Sequence, residues 1–124
     1  MRIAIDLDGT AWYHERFFWS FVRAMQSEGH AIGILTSHGE EMKKYDLDLW
    51  EARMFPKPDF YICKSQEDKD RLKGTEGNNG IWKAEKVTEH NIDYLMGDLD
   101  GNDVYVEHFR KIHPYKLIRF WGDK

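Results

Sequence analysis

The sequence of 124 residues predicts a single α/β domain built around a five-stranded parallel sheet. Short apolar runs with the length of buried strands alternate along it with segments whose apolar residues recur at helical spacing. Acidic and hydroxyl residues follow several of these runs, at the positions where open α/β sheets bind their ligands. Strands separated by helices are expected to join through right-handed crossovers into a parallel sheet.

The first elements are a strand and a helix. The apolar run before Asp6 predicts a strand over residues 2–6. A helix is expected over residues 15–28. Gly29, the next residue, occupies the place of a C-terminal cap. Its apolar face consists of Phe17, Phe18, Phe21, Val22 and Met25. The later predicted elements are a strand over 31–36, a helix over 40–54, a strand over 59–63, a helix over 83–90, a strand over 93–97, a helix over 103–111 and a strand over 117–121.

Two regions surround the predicted third strand. The helix before it is expected to end ahead of Pro56, because proline cannot continue a helix. Its buried face is expected at Met42, Tyr45, Leu49, Trp50 and the aliphatic stem of Arg53. After the strand, residues 65–80 are polar and contain several glycines and the pair Asn78-Asn79. This composition predicts a loop or a small hairpin inserted into the single domain of residues 1–124.

Two carboxylates stand at the end of the first strand, in an Asp-Leu-Asp-Gly-Thr motif at residues 6–10. Residues two apart in an extended segment point the same way, so Asp6 and Asp8 can face one site. Clustered carboxylates repel unless a cation or a shared proton separates them, and Mg²⁺ is the simplest cation. Gly9 allows the backbone to turn and leaves amide groups able to meet an anion. A strand that merely ends in an acidic turn is the alternative that this motif alone leaves open.

The fourth predicted strand, over residues 93–97, is also followed by an acidic loop. This loop contains Asp98, Asp100 and Asp103. Hard cations prefer oxygen ligands, so one carboxylate from each loop would complete a metal site. The loop is similar in composition to a calcium-binding EF-hand loop, but its register is wrong. When Asp98 is counted as the first position, Gly101 falls at the fourth place instead of the sixth and Phe109 at the twelfth.

Hydroxyl and lysine side chains complete the set of candidates. Thr36 and Ser37 follow the strand over 31–36, and Lys83 and Lys86 lie on the helix before the second acidic strand. A strand-end hydroxyl commonly caps the next helix, and surface lysines are usually solvated. These residues therefore gain functional meaning only from their order in the chain.

Taken in order, the four motifs resemble those of the haloacid dehalogenase (HAD) superfamily, most of whose members are Mg²⁺-dependent phosphohydrolases. They correspond here to residues 6–10, to Thr36, to Lys83 or Lys86, and to Asp98 with Asp103 beyond it. The resemblance covers residues 1–103 and implies a HAD-like Rossmannoid three-layer sandwich with strand order 5-4-1-2-3 and no large cap. Asp100 is an extra acid in the fourth motif, so which loop carboxylate supports the metal stays open.

The resemblance implies cleavage of phosphomonoesters through an aspartyl-phosphate. Asp6 would be the nucleophile, and Asp8 would be the general acid and base. Thr36 and the motif-three lysine, for which Lys83 is preferred over Lys86, would stabilise the phosphoryl group.

The expected metal ligands follow from the same resemblance. Mg²⁺ would be bound by the side chains of Asp6 and Asp98 and by the backbone carbonyl of Asp8, while Asp103, or failing that Asp100, would hold a metal-bound water. The expected substrate-binding residues are Gly9, Thr10, Ser37 and Trp12. The tryptophan would stack on a base or sugar, although packing against a neighbouring helix is an equal alternative.

Two other functions are kept as alternatives. One is a non-catalytic HAD-like module that binds a phosphorylated ligand or a partner protein, which the presence of both Asp6 and Asp8 argues against. The other is a phosphotransferase, whose relatives usually carry a larger cap that excludes water. The chain between Thr10 and Glu40 is already occupied by one helix and one strand, which leaves no room for such a cap.

Composition bounds the partners. The net charge of −4 and the lack of a basic stripe argue against an extended grip on nucleic acid, so a small phosphorylated substrate or a nucleotide is expected. No apolar run approaches the roughly 20 residues of a membrane helix, and no signal peptide precedes the first strand, so a cytoplasmic protein is expected. The high aromatic content, 15%, suggests a homo-oligomer with some rings at its interface.

Cysteine and histidine add little. The lone Cys63 cannot form a disulfide within the chain and is expected to be a buried thiol. The histidines lack zinc-binding spacing. Only His38, beside Thr36 and Ser37, has a position that suggests function, and a surface role is the alternative.

Overall fold

The computed structural model describes residues 1–121 and confirms the α/β class. Within these residues, one five-stranded, all-parallel sheet has the order β3-β2-β1-β4-β5. This is the predicted order read from the opposite edge. The strands are β1 (Arg2–Ile5), β2 (Ala31–Gly39), β3 (Tyr61–Lys64), β4 (Tyr94–Gly97) and β5 (Leu117–Arg119).

Helices cover both faces of the sheet and make a three-layer sandwich. In the described residues they are α1 (Glu15–Ser27), α2 (Lys43–Ala52), α3 (Gln66–Leu72), α4 (Asn78–Glu89) and α5 (Asp103–Ile112). A single 3-10 turn, Glu40–Met42, precedes α2. Across residues 1–121 no large cap domain interrupts the sandwich. No helix in this range has both the length and the apolar character needed to cross a membrane.

The central strand β1 divides the core in two, because its side chains alternate between the faces. Ile3 and Ile5 pack with α1 and α2, in a cluster that includes Phe18 and Trp50. Ala4 faces the opposite cluster, formed mainly with α4 and α5. Full burial of an Ile or Phe side chain contributes about 1.5–3 kcal/mol relative to exposure, so both faces stabilise the central strand.

Residues 65–80 differ from the loop or hairpin predicted for them. The Ser65 side chain accepts a hydrogen bond from the Asp68 amide at 3.1 Å and caps α3. Helix α4 then begins at Asn78 rather than near residue 83. A Cβ at Gly80 would collide with the Tyr105 carbonyl of α5. This glycine therefore permits close helix packing instead of forming a turn, and the segment belongs to the helical layer.

The second helix and its neighbours also differ from prediction. Helix α2 is shorter than the predicted 40–54, and it buries Asp46 and Trp50 while leaving Tyr45 exposed. Strand β2 continues past residue 36 to Gly39 and therefore carries Ser37 and His38. Its pairing with β3 is irregular between Leu35 and Gly39. The extra length places His38 beyond the regular part of the sheet.

Candidate active site

The register of the sheet brings three of the predicted site residues to one edge. Ile5 of β1 pairs with Ile34 of β2 on one side and with Met96 of β4 on the other. Asp6, Thr36 and Asp98 follow these positions by one or two residues, so Thr36 in β2 is level with the carboxyl ends of β1 and β4, where Asp6 and Asp98 lie. All three are buried. This is the edge at which open parallel sheets bind ligands.

A tight turn over Leu7–Ala11 carries the first motif. The Asp6 Oδ1 atom accepts a hydrogen bond from the Leu7 amide at 2.9 Å, which orients the carboxylate. Gly9 has a φ of +70°, and a Cβ there would collide with the Asp98 carboxylate. The absence of a side chain at Gly9 thus lets the two acidic loops approach each other.

Thr10 joins the same two loops. Its side chain is fully buried, and its hydroxyl accepts a hydrogen bond from the Asp98 amide at 3.1 Å. The hydroxyl predicted to bind substrate therefore fixes the turn after β1 to the end of β4.

Three carboxylates form a compact cluster at this edge. One oxygen atom each from Asp6, Asp98 and Asp100 lies within 4.8 Å of the others. Asp100 reaches the cluster because Leu99, Asp100 and Gly101 all have positive φ, at 50°, 61° and 62°, which curls the loop back. The Asp100 amide also donates to Asp98 Oδ1 at 3.0 Å.

Asp103, the residue preferred for metal support, is not brought to this cluster. It is the first residue of α5, and its carboxylate pairs with Arg119 at 2.8 Å. The loop after β4 has already turned back at Asp100 before the helix begins. The carboxylate that the structure adds to Asp6 and Asp98 is therefore that of Asp100.

Lys83 is the lysine at the cluster. Its fully buried Nζ donates to Asp6 Oδ2 at 2.6 Å. Lys86 instead reaches Glu89 at 2.9 Å and Asp68 at 3.4 Å on the outer side of α4. The structure thus distinguishes the two lysines between which the sequence left a choice.

Burial and crowding perturb the pKa values of these groups. Burial raises the pKa of Asp6 to about 6, with Asp100 and Asp98 acting in the same direction and Lys83 opposing them. Burial also raises the pKa of Asp98. Burial alone would lower the pKa of Lys83, but attraction to Asp6 outweighs it and the pKa is raised. Lys83 therefore stays charged, and it offsets only part of the negative charge of the cluster.

The donor set suits a hard divalent cation. Every oxygen in the cluster belongs to a carboxylate, the ligand type that Mg²⁺ and Ca²⁺ prefer. Burial, and to a smaller extent the charges of Asp100 and Asp98, raises the pKa of Asp6 and so disfavours its ionised form. A bound cation would offset the repulsion among the three carboxylates, so the residues present fit a metal site.

Thr36 and Ser37 lie on β2, the strand adjacent to β1. Thr36 is buried, and its Oγ1 accepts a hydrogen bond from the His38 amide at 3.2 Å. Ser37 is partly buried. The roles predicted for these hydroxyls stay predictions.

His38 lies between two carboxylates. Its Nε2 is 2.6 Å from Asp8 Oδ2, and its Nδ1 is 2.8 Å from Asp46 Oδ2. The Tyr61 hydroxyl donates to the same Asp46 oxygen at 2.7 Å. Burial alone would lower the pKa of His38, but its hydrogen bonds to Asp46 and Asp8 raise it overall. The sequence drew attention to His38 but gave no signal for Asp46, since an acidic residue in a helix is typical of an exposed face.

A second network missed from the sequence supports Asp100. The Asn79 side chain donates to Asp100 Oδ2 at 2.9 Å and accepts from Lys64 Nζ at 2.7 Å. Lys64 is buried at the end of β3, and burial lowers its pKa. The pair Asn78-Asn79 in a polar stretch with several glycines is typical of a turn, so the sequence does not indicate that Asn79 lies on a helix beside the site.

Trp12 packs into the core on the α1 and α2 side. Its ring makes edge contacts with Trp50 and Phe55 at centroid distances of 6.0 and 6.2 Å, and the Arg53 guanidinium lies 5.0 Å from its centroid. These contacts fit the packing alternative, while stacking on a substrate stays a prediction.

The edge as a whole combines a buried carboxylate–ammonium pair, a cluster of cation-binding oxygens and a more exposed carboxylate at Asp8. Such a set can bind a metal-coordinated anion and move a proton. No family model, curated protein or solved structure matches this chain.

Proposed function

We propose that this protein is a Mg²⁺-dependent phosphomonoesterase of the HAD type that works through an aspartyl-phosphate on Asp6. The observation that carries the proposal is the buried pair of Lys83 and Asp6, 2.6 Å apart, within a cluster that also contains Asp98 and Asp100. A buried carboxylate that is both paired with an ammonium group and adjacent to a metal-binding cluster is suited to attack a dianionic phosphate.

Asp6 supplies the nucleophilic oxygen. Its carboxylate is oriented by the Leu7 amide and by Lys83. Attack of an Asp6 oxygen on phosphorus forms a new P–O bond while the bond from phosphorus to the ester oxygen breaks. Lys83 then lies where it neutralises charge that builds up on the phosphoryl oxygens.

Asp98 and Asp100 would hold Mg²⁺ together with Asp6. When bound, the ion supplies positive charge that offsets repulsion between the carboxylate nucleophile and the phosphate. Thr36, in β2, would donate its hydroxyl proton to a phosphoryl oxygen. The backbone amides of the turn around Gly9 provide further donors for an anion.

Asp8 supplies the proton transfers. In its acid form it gives a proton to the departing ester oxygen, and as a carboxylate it then takes a proton from the water that attacks phosphorus. The second step breaks the bond to Asp6 and releases inorganic phosphate. About two thirds of the Asp8 side chain, 64%, is exposed, which agrees with access for both substrate and water.

The open edge favours hydrolysis over phosphoryl transfer to a second substrate. Throughout residues 1–121 the structure contains no large cap that would exclude water from this edge. Transfer between two organic molecules requires such exclusion, because water otherwise competes for the phosphoenzyme. Substrate selection without a cap would then depend on the residues that surround the edge.

The test is phosphate release from a panel of phosphorylated metabolites and nucleotides in Mg²⁺ or in excess chelator. We expect release only with the metal, and expect Asp6→Asn to abolish it without loss of fold. Acid-quenched wild-type enzyme should carry a phosphoryl group on Asp6, detected by mass spectrometry. Phosphate release by Asp6→Asn at the wild-type rate would overturn the proposal. Binding of phosphorylated ligands without turnover would indicate a non-catalytic module instead.

A further inference from the structure

We propose that His38, held by Asp46, which itself accepts a hydrogen bond from Tyr61, positions the carboxylate of Asp8 for its proton transfers. The inference rests on the proposed function, since it assigns a supporting group to the proposed acid and base. Asp8 lies on the turn after β1, whereas His38, Asp46 and Tyr61 come from β2, α2 and β3. Four separate parts of the chain thus contribute to one line of contacts.

Asp8 needs such support because its own surroundings restrain it little. Its side chain is 64% exposed, and it follows the strand end at a point where the backbone is about to turn at Gly9. An exposed carboxylate samples several rotamers, and a general acid acts only within hydrogen-bond reach of its target. The contact of 2.6 Å with His38 Nε2 selects one orientation.

The ring of His38 is itself held in place on the side opposite Asp8. Its Nδ1 lies 2.8 Å from Asp46 Oδ2, and the side chain of Asp46 is 1% exposed. The Tyr61 hydroxyl donates to the same oxygen, so this carboxylate is held from two sides. Rotation of the ring would leave a buried carboxylate with one donor fewer, which is costly in a poorly solvated site. The imidazole is therefore a rigid support.

Burial of Asp46 has no evident advantage for the core. It lies on the inner face of α2 next to Trp50, where an apolar residue is expected. Its Oδ1 atom is buried and has no hydrogen-bond partner within the described residues. Burying an unsatisfied carboxylate oxygen costs free energy. The buried Asp46 carboxylate therefore has a function outside the core, because it orients the His38 ring toward Asp8.

His38 is assigned no proton transfer in this arrangement. Asp8 gives its proton to the ester oxygen as the bond to phosphorus breaks, and later regains one from the attacking water. His38 keeps its own protons and acts through the orientation of Asp8, so it is a positioning residue.

Two substitutions separate the contacts of the ring. The amide nitrogen of an asparagine lies near the position of Nδ1, so His38→Asn keeps a donor toward Asp46 and loses the one toward Asp8. The amide nitrogen of a glutamine lies near Nε2, so His38→Gln keeps a donor toward Asp8. We expect His38→Gln to retain more activity than His38→Asn. A purely structural role of the ring predicts no such ranking.

The leaving group gives a second, independent measurement. An alkyl phosphate needs a proton at its departing oxygen, while a nitrophenyl phosphate leaves with little help. We expect His38→Asn to lower kcat/KM for the alkyl ester by about 10²-fold, the low end for general acid catalysis, and for the nitrophenyl ester by much less. Tyr61→Phe, which removes one hydroxyl, should show the same selectivity with a smaller loss. His90→Gln, at a partly exposed histidine beside Glu89, is the matched control and should change neither.

The outcomes are distinct. Equal losses on both esters for a folded His38→Asn, or unchanged activity on both, would overturn the positioning role while the proposed phosphatase function stands. If His38→Asn does not fold, the ratio of the two esters in Tyr61→Phe decides in the same way. Absence of Mg²⁺-dependent hydrolysis by the wild-type protein would overturn the proposed function and, with it, this inference.

Discussion

The ammonium group of Lys83 in α4 donates to the carboxylate of Asp6 at the end of β1, at 2.6 Å, with both side chains buried. The two residues are 77 positions apart in the sequence, so the fold creates this pair. Removing one member of such a pair leaves a buried charge without a partner, which typically costs about 3–5 kcal/mol. The pair therefore concerns stability as well as the proposed catalysis.

Lys83→Met should lower the rate of phosphate release by at least about 10²-fold, as expected when a donor to developing charge is removed. Lys86→Met is the matched control on the same helix, because within residues 1–121 the ammonium group of Lys86 pairs with Asp68 and Glu89 and not with the carboxylate cluster. Steady-state kinetics and thermal denaturation of both variants provide the comparison. A larger loss of rate in Lys86→Met would show that the assignment of the lysine is wrong.

Asp100→Asn should weaken Mg²⁺ binding by about 10-fold or more, the effect of losing a group that supports a metal. Asp103→Asn removes a nearby carboxylate, at the start of α5, that lies outside the cluster, and it should leave the affinity close to that of the wild type. Isothermal titration with Mg²⁺ in the absence of substrate measures both. The reverse order would place the metal nearer to α5.

Cation affinity should fall as the pH decreases through about 6. Burial raises the pKa of Asp6 to about 6 in the cation-free protein, and a protonated carboxyl must lose its proton before it can bind a cation. Mg²⁺ titrations between pH 5 and about 8, in buffers of different ionisation enthalpy, should show proton release on binding near the lower end. An affinity independent of pH over this range would contradict the involvement of Asp6.

The same shift predicts how stability depends on pH in excess chelator. The folded state holds the Asp6 proton up to about pH 6, whereas the unfolded chain releases it near 3.8. The contribution of Asp6 is therefore fully present below about pH 4 and is lost as the pH rises through about 6. Asp6→Asn removes this contribution. The difference in Tm between the wild type and Asp6→Asn should change across that window, and a constant difference would contradict the raised pKa.

Gly9→Ala should abolish cation binding and turnover while the helical content is retained. The alanine Cβ would collide with the Asp98 carboxylate and separate the two acidic loops. Gly74→Ala is the matched control, since Gly74 has a similar φ of +77° but no heavy atom of the described residues lies within 4 Å of an added Cβ. Both variants pay about 1–2 kcal/mol for left-handed backbone, and only Gly9→Ala should lose Mg²⁺ affinity by titration.

Much of the fold and the centre of the candidate site could be predicted from the sequence. Apolar runs that end in polar residues located Asp6, Thr36 and Asp98, and the strand order brought them together. These signals are local and strong. Lys83 could be preferred over Lys86 only from the resemblance, because the sequence alone does not distinguish a buried lysine from an exposed one.

The missed features depend on tertiary contacts. Asp46 and Asn79 lie in helices, where polar residues are usually exposed, and neither has a local signal for its contact with His38 or Asp100. Gly80 lies in the stretch for which the sequence predicts a loop or hairpin, but in the structure it lets α4 approach α5 closely. The sequence favours Asp103 over Asp100 by resemblance, because the order of the acidic residues does not indicate the left-handed backbone at Leu99, Asp100 and Gly101.

Helix α4 contacts both acidic loops with residues four positions apart, which lie on one face of a helix. Asn79 binds Asp100 after β4, and Lys83 binds Asp6 after β1. The first half of α4 is therefore bound to both acidic loops. A change of charge in the cluster between the loops would change how strongly this half of the helix is held in place. Binding of a cation to the acidic cluster would then slow amide hydrogen exchange in α4. Hydrogen exchange is a property of the backbone and is measured independently of turnover.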